Sequence, residues 1–235
     1  MKLLAGSTMA LAPVKAAACS IALMFSVDAS GSINSDEWLL QTEGLAFALE
    51  DPDIAQLLVA RQARLSVFQW SGGGQQDFTI PWTTITDHSA RESFAQSVAT
   101  LPRRWTDGST DIAGALSKMP AHFASLRCSR LVIDLSGDGL DNGQGGALEA
   151  PRSRLGEAGI TLNALAIEPT NPSAHLGYKS LGDYYRNNVI VGDGAFAEQA
   201  EGYVDYPRAI RMKLRRELLG PVSYTHLTLP TIYSV

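Results

Sequence analysis

The run at residues 21–27, Ile-Ala-Leu-Met-Phe-Ser-Val, has no polar face. A strand of this kind has to be covered on both sides, which is characteristic of a parallel sheet. Similar runs recur at residues 65–70, 130–135 and 160–167. Between them the apolar positions take a helical spacing, as at Trp38, Leu39, Leu45, Ala46 and Leu49 within residues 36–49. Asn34 or Ser35 can cap that helix. Further helices are expected at residues 89–101, 111–123, 148–158, 181–187 and 205–219. Short strands are expected at residues 78–82 and 189–191, and a loop at 169–177. This alternation predicts an α/β fold: a doubly wound, Rossmann-like, mainly parallel six-stranded sheet with helices on both faces. In such sheets ligands sit outside the carboxyl ends of the strands, where the strand order reverses. With the order 3-2-1-4-5-6, the first and fourth strands are neighbours and flank that point.

Three segments with oxygen-bearing side chains fall at the expected place. Asp28-Ala29-Ser30-Gly31-Ser32 follows the first strand directly. Gly108-Ser109-Thr110-Asp111 precedes a helix, and Ser136-Gly137-Asp138-Gly139 closes the fourth strand. Taken singly, each has a plain reading: Asp28 and Ser30 cap a helix, and Asp138-Gly139 makes a turn. Together they offer oxygen ligands of mixed charge, which suit a hard divalent cation. Asp107, Asp111, Asp141 and Asn142 are nearby candidates for an outer shell, with solvated loop residues as the expected identity of each.

The three segments, in this order, resemble the metal-ion-dependent adhesion site of von Willebrand factor A domains. Two departures stand out: Ser109 where many members have Gly, and Gly137 where many have Thr. The chain also resembles one bacterial group of these proteins classed as a domain of unknown function. That likeness rests on residues 38–52, 67–72, 81–82, 132–139, 184–190 and 194–196 and on the final helix, and covers roughly residues 19–219. The resemblance implies that Ser30 and Ser32 are primary ligands of Mg²⁺ or Mn²⁺, ahead of Ca²⁺. Thr110 would bind directly or through water, and Asp28 and Asp138 would orient the shell. An open position would remain for a Glu or Asp side chain of a protein partner. The expectation is an exported metal-dependent protein-binding module, not an enzyme. The alternative, a metal-assisted hydrolase or phosphoryl-transfer enzyme, needs a base or nucleophile. None of the three loops holds a His, Cys or Lys.

Other constellations are missing. No Walker A or G-x-S-x-G sequence occurs. Residues 138–143 resemble an EF-hand loop, but Leu140 stands where an oxygen ligand is required. His88, His122 and His175 show no zinc spacing. The 235 residues suffice for one domain, and the net charge of -5 argues against nucleic acid.

Residues 1–18 read as a signal peptide ending in Ala16-Ala17-Ala18, which places the protein in the periplasm or outside the cell. Residues 19–219 form the domain, and residues 220–235 resemble translated adapter sequence. The last helix carries Arg208, Arg211, Lys213, Arg215 and Arg216 opposite Tyr206, Ile210, Leu214 and Leu218. Such a helix can lie on an anionic membrane, but packing on the sheet with solvated charges is the expected arrangement.

Cys19 and Cys128 lie nine and ten residues before Asp28 and Asp138. Both therefore fall near the amino ends of adjacent strands. Strands about 4.8 Å apart suit a disulfide, which requires an oxidising compartment. Two other readings stay open: a lipid-modified Cys19 with Cys128 free, and two reduced, buried cysteines.

Overall fold

The computed structural model describes residues 19–168 and 177–220. The expected leader, the residues of the 169–177 loop up to 176, His175 and the tail from residue 221 lie outside the described residues. Six strands form one sheet: β1 (Cys19–Asp28), β2 (Arg64–Trp70), β3 (Gln76–Thr84), β4 (Cys128–Gly137), β5 (Ile160–Ile167) and β6 (Ala197–Ala200). Their order is β3-β2-β1-β4-β5-β6, and only β3 runs antiparallel to its neighbour. This is the doubly wound sheet expected from the sequence.

Helices α1 (Ser35–Glu50), α2 (Pro52–Ala60), α3 (His88–Ala99), α4 (Ile112–Lys118), α5 (Pro120–Phe123), α6 (Glu149–Glu157), α7 (Leu181–Tyr184) and α8 (Tyr206–Leu219) surround it. Successive residues of β1 point to opposite faces. Ile21, Leu23, Phe25 and Val27 meet α1, α2, α3 and α8, whereas Ala22 and Met24 meet α4, α5 and α6. Both faces of β1 are thus buried, as its all-apolar sequence requires.

Several expectations are corrected. The sixth strand is not residues 189–191. Tyr185–Val189 instead forms a π-helix whose Tyr185 and Val189 are buried in the second core, and Val191 makes one isolated bridge to Leu162. β6 lies later and pairs with β5. The helix expected at 111–123 breaks before Pro120, which has no N–H to continue it. α2 was not anticipated, although Asp51 accepts from the amides of Asp53 and Ile54 and Pro52 stands in its first turn.

The charges of α8 are not all solvated. Lys213 is fully buried, with Nζ 2.6 Å from Asp134 Oδ1 on β4 and 2.7 Å from Glu217 Oε1. Asn163 Nδ2 donates to the same Glu217 oxygen. The apolar face of α8, Tyr206, Ile210, Leu214 and Leu218, packs into the core. Among the described residues, no helix is long and apolar enough to cross a membrane.

Cys19 and Cys128 sit opposite each other in the β1–β4 register, are joined by a disulfide, and have Cα atoms 4.6 Å apart. They lie at the opposite end of the sheet from Asp28 and Asp138.

Candidate metal centre

β1 ends at Asp28, and the chain then turns sharply to reach α1. Backbone bonds fix the turn: Ala29 N donates to Trp70 O, Gly31 N to Gly108 O and Ile33 N to Ser30 O. Arg103 Nη2 adds donations to Ala29 O and Ser30 O. Gly31 lies close to the second loop, where a Cβ would stand 3.1 Å from Gly108 O and push it by a few tenths of an ångström. Asn34 caps α1, with Glu37 completing the reciprocal capping box.

The turn gathers the candidate ligands. Ser30 N donates to Asp28 Oδ1 at 2.8 Å. Ser30 Oγ lies 3.2 Å from Ser32 Oγ and 3.4 Å from Thr110 Oγ1. Ser32 Oγ donates to Asp138 Oδ1 at 2.8 Å. The structure thus brings Asp28, Ser30, Ser32, Thr110 and Asp138 into one linked cluster of oxygens at the β1–β4 switch point.

Thr110 is held from behind. Its N–H donates to Asn142 Oδ1, and its carbonyl accepts from Asn142 N. Asp141 Oδ1 accepts the Ile112 and Ala113 amides at the start of α4. Asp111 Oδ1 accepts the Gly114 and Gly145 amides. Solvated loop residues were expected at Asp111, Asp141 and Asn142. They instead knit the second and third loops together, because the amides opening α4 require acceptors. Asp107 stays on an exposed loop, its carbonyl accepting from Ser71 Oγ.

Both departures from the adhesion-site pattern have local reasons. At Gly137 a Cβ would lie 2.7 Å from the Tyr185 hydroxyl and 3.1 Å from Asp28 Oδ2. Tyr185, which donates to Gly139 O, occupies the room that a larger residue would need. Ser109 fits because it faces Gly72, where any Cβ would collide with it.

The electrostatics favour a cation here. Asp28 is fully buried, and its Oδ2 has no hydrogen-bond partner among the described residues. Burial pushes its pKa up to about 8, with the nearby Asp138 charge adding to the shift. The Asp138 carboxyl is raised by burial and by Glu37, while Ser32 and Tyr203 pull the other way. Burial also holds the Tyr185 and Tyr203 hydroxyls well above their ordinary range. Two close carboxylates, one with an orphaned buried oxygen, disfavour their own charge until a cation neutralises them. The donors are all oxygen, and among the described residues no group of three His, Cys, Asp or Glu side chains is placed to hold a metal. A metal here would depend on hydroxyls, so the residues fit a hard divalent cation.

A cleft of about 800 Å³ opens beside Ser32, Thr110 and Asp138. Its wall includes Glu37, Glu201 and Tyr203, which sequence reasoning missed. They come from the start of α1 and the approach to α8, and no local motif links them. His122 stacks on Phe78 at 4.2 Å between ring centroids, away from the cluster.

Residues 18–222 match a family described as "Protein of unknown function (DUF1194)". No curated protein matches the chain. Solved structures share its fold. The pilus adhesin SpaC from Lactobacillus rhamnosus GG superposes with a TM-score of 0.63 at 12% identity, over 86% of this chain and 31% of that one. Proximal thread matrix protein 1 from the mussel byssus, with a zinc-occupied MIDAS motif, gives 0.59 at 12% identity, over 83% and 47%. A von Willebrand factor type A protein from Catenulispora acidiphila gives 0.58 at 13% identity, over 85% and 43%. The chain therefore spans less than half the length of each.

Proposed function

The chain belongs to the DUF1194 family and has the von Willebrand factor A fold, and from that premise we propose that it is an exported, metal-dependent protein-binding module. The observation that carries this reading is the buried Asp28 Oδ2, left without a partner beside four other converging oxygen-bearing side chains. Ser30, Ser32 and Thr110 would hold Mg²⁺ or Mn²⁺ through neutral hydroxyls, and Asp28 and Asp138 would balance its charge. Bound there, the ion supplies positive charge and a coordination position that a partner's Asp or Glu can fill. The backbone bonds from the first loop to residues 70 and 108 hold the hydroxyls in place before any ligand arrives. The adhesin and the zinc-loaded matrix protein among the fold relatives support the adhesion-type reading, and an extracellular or periplasmic place agrees with it. A hydrolytic role finds less support. The hydroxyls flanking the cluster, on Tyr185 and Tyr203, are kept protonated by burial and so are not available to take up a proton.

Calorimetric titration with Mg²⁺ tests the proposal. The wild type should bind, and the Ser30→Ala/Ser32→Ala double variant should lose affinity by more than about a hundredfold, a loss of roughly 2.8 kcal/mol. Equal affinity in the two proteins would refute the site.

A further inference from the structure

The large apolar side chains left exposed among the described residues are Leu39, Phe47, Val204, Met212 and Leu219, from 49% exposed at Leu39 to 85% at Val204. All five lie on α1, on α8 or on the turn that opens α8. These elements are neighbours. Gly44 packs so closely on the start of α8 that a Cβ would stand 2.9 Å from the Tyr206 ring and 3.1 Å from Pro207. Further along, Asp51, which follows α1, lies 3.6 Å from Arg211. The two helices therefore run side by side in the same direction. A groove of about 480 Å³ follows their outer side, lined by Leu40, Phe47, Ala99 and Pro207 and rimmed by Glu43 and Glu50. Clustered exposed apolar surface of this kind marks an interaction face.

The charges on the two helices are sorted by sign. α1 carries Asp36, Glu37, Glu43 and Glu50 and has no Lys or Arg. The exposed charges of α8 are Arg208, Arg211, Arg215 and Arg216, its other two, Lys213 and Glu217, being buried. Glu43 and Glu50 enter no ion pair among the described residues. Arg208 and Arg215 face Asp205 and Asp53 within the chain, but ion pairs at the surface hold little free energy and are readily exchanged. The stripes also match in spacing. Glu43, Phe47 and Glu50 are four and three residues apart, and so are Arg208, Met212 and Arg215. Each set reads charge, apolar, charge along one side of its helix.

We propose that this face takes a second copy of the chain, with α1 of each protomer laid on α8 of its partner. A two-fold axis running along the helices gives this arrangement. It keeps both stripes in the same direction, so the Glu-Phe-Glu stripe meets the Arg-Met-Arg stripe twice. An axis across the helices would set α1 on α1 and α8 on α8, acid on acid and base on base, which like-charge repulsion disfavours. The face is thus complementary to itself in one orientation. An anionic lipid surface would suit α8 but would be repelled by the acidic α1 beside it. Neither stripe includes a candidate metal ligand, so the pairing does not depend on the ion.

Sedimentation velocity of the full chain at low salt, with chelator present, tests this over the micromolar range in which a small interface associates. The wild type should pass from monomer to dimer as concentration rises, and high salt should weaken the dimer by about tenfold, because exposed charges are screened. Glu43→Arg/Glu50→Arg sets base on base, and Arg208→Glu/Arg215→Glu sets acid on acid. Each should weaken self-association by at least about thirtyfold. Mixed in equal amounts, the two variants should form a heterodimer close to the wild type in affinity, because opposite charges meet again at both contacts. Circular dichroism checks that each variant is folded. Phe47→Ser changes an exposed position without altering charge, keeps the test open should a charge variant not fold, and should weaken the dimer by about tenfold. A wild type that stays monomeric throughout would overturn the proposal, and binding of that monomer to anionic vesicles would assign the face to lipid instead. A dimer indifferent to Phe47→Ser and to both charge variants would also overturn it, by placing the interface elsewhere. So would folded charge variants whose mixture fails to associate.

Discussion

Gly137 shows how a single residue adapts the site to its surroundings. The Tyr185 hydroxyl and Asp28 Oδ2 crowd the space where its Cβ would stand. Gly137→Ala should therefore destabilise the fold by about 1–3 kcal/mol, the usual cost of overpacking. In a Tyr185→Phe background the added cost should be less than half as large, because the nearer of the two obstructing atoms is gone. Urea unfolding of the four proteins measures both, and an equal cost in the two backgrounds would show that Tyr185 is not the obstruction. The five oxygen-bearing side chains were legible in the sequence because each sits within three residues of a strand or helix end. Their scaffold was less legible. Asn142 and Asp141 looked like solvated loop residues, because the amides they satisfy belong to a loop some 30 residues earlier. The rest of the cleft wall was not legible, since Glu37 and Glu201 come to line one cleft only once α1 and the approach to α8 are packed.

At the scale of elements, strands β1, β4 and β5 could be read directly because their apolar runs need cover on both sides. β6 could not. Its residues Ala-Glu-Gln-Ala have little strand preference, while the neighbouring Val189, Ile190 and Val191 do, and tertiary packing drew Val189 into a π-helix. α8 was recognised as a helix, but Lys213 looked solvated because its partner, Asp134, comes from a distant strand. Lys213→Met would leave Asp134 buried without its cation and Glu217 without the Lys213 donor, so urea unfolding should show a loss of about 3–5 kcal/mol. Burial, with Asp134 adding, raises Glu217 from its usual 4.5 to about 8. Between those values the unfolded chain ionises Glu217 while the folded chain keeps it protonated. The contribution of this group is thus fully present below pH 4.5 and lost as pH rises through about 8. Wild-type stability should fall across that window, and Glu217→Gln should flatten the fall. A slope unchanged in the variant would assign the pH dependence to other groups.

Across the whole molecule, the sheet separates a covalent tie from a recognition site. The Cys19–Cys128 disulfide spans 109 residues of sequence and links the amino ends of β1 and β4. Closing so long a loop stabilises by up to about 4–5 kcal/mol in the chain-entropy model. Reduction should lower the unfolding midpoint accordingly, yet change Mg²⁺ affinity by no more than about twofold, because the candidate site lies at the other ends of those strands. A large loss of affinity on reduction would mean that the tie sets the geometry of the site. The doubly wound order was legible from the alternation of elements, and it alone required Asp28 and Asp138 to converge. A divalent ion is expected where they meet. Anomalous diffraction at the manganese edge, from crystals grown with Mn²⁺, tests it most directly. The expected result is a peak enclosed by Ser30, Ser32 and Thr110, with Asp28 and Asp138 around it. A protein saturated with Mn²⁺ whose anomalous peaks all lie elsewhere would contradict it.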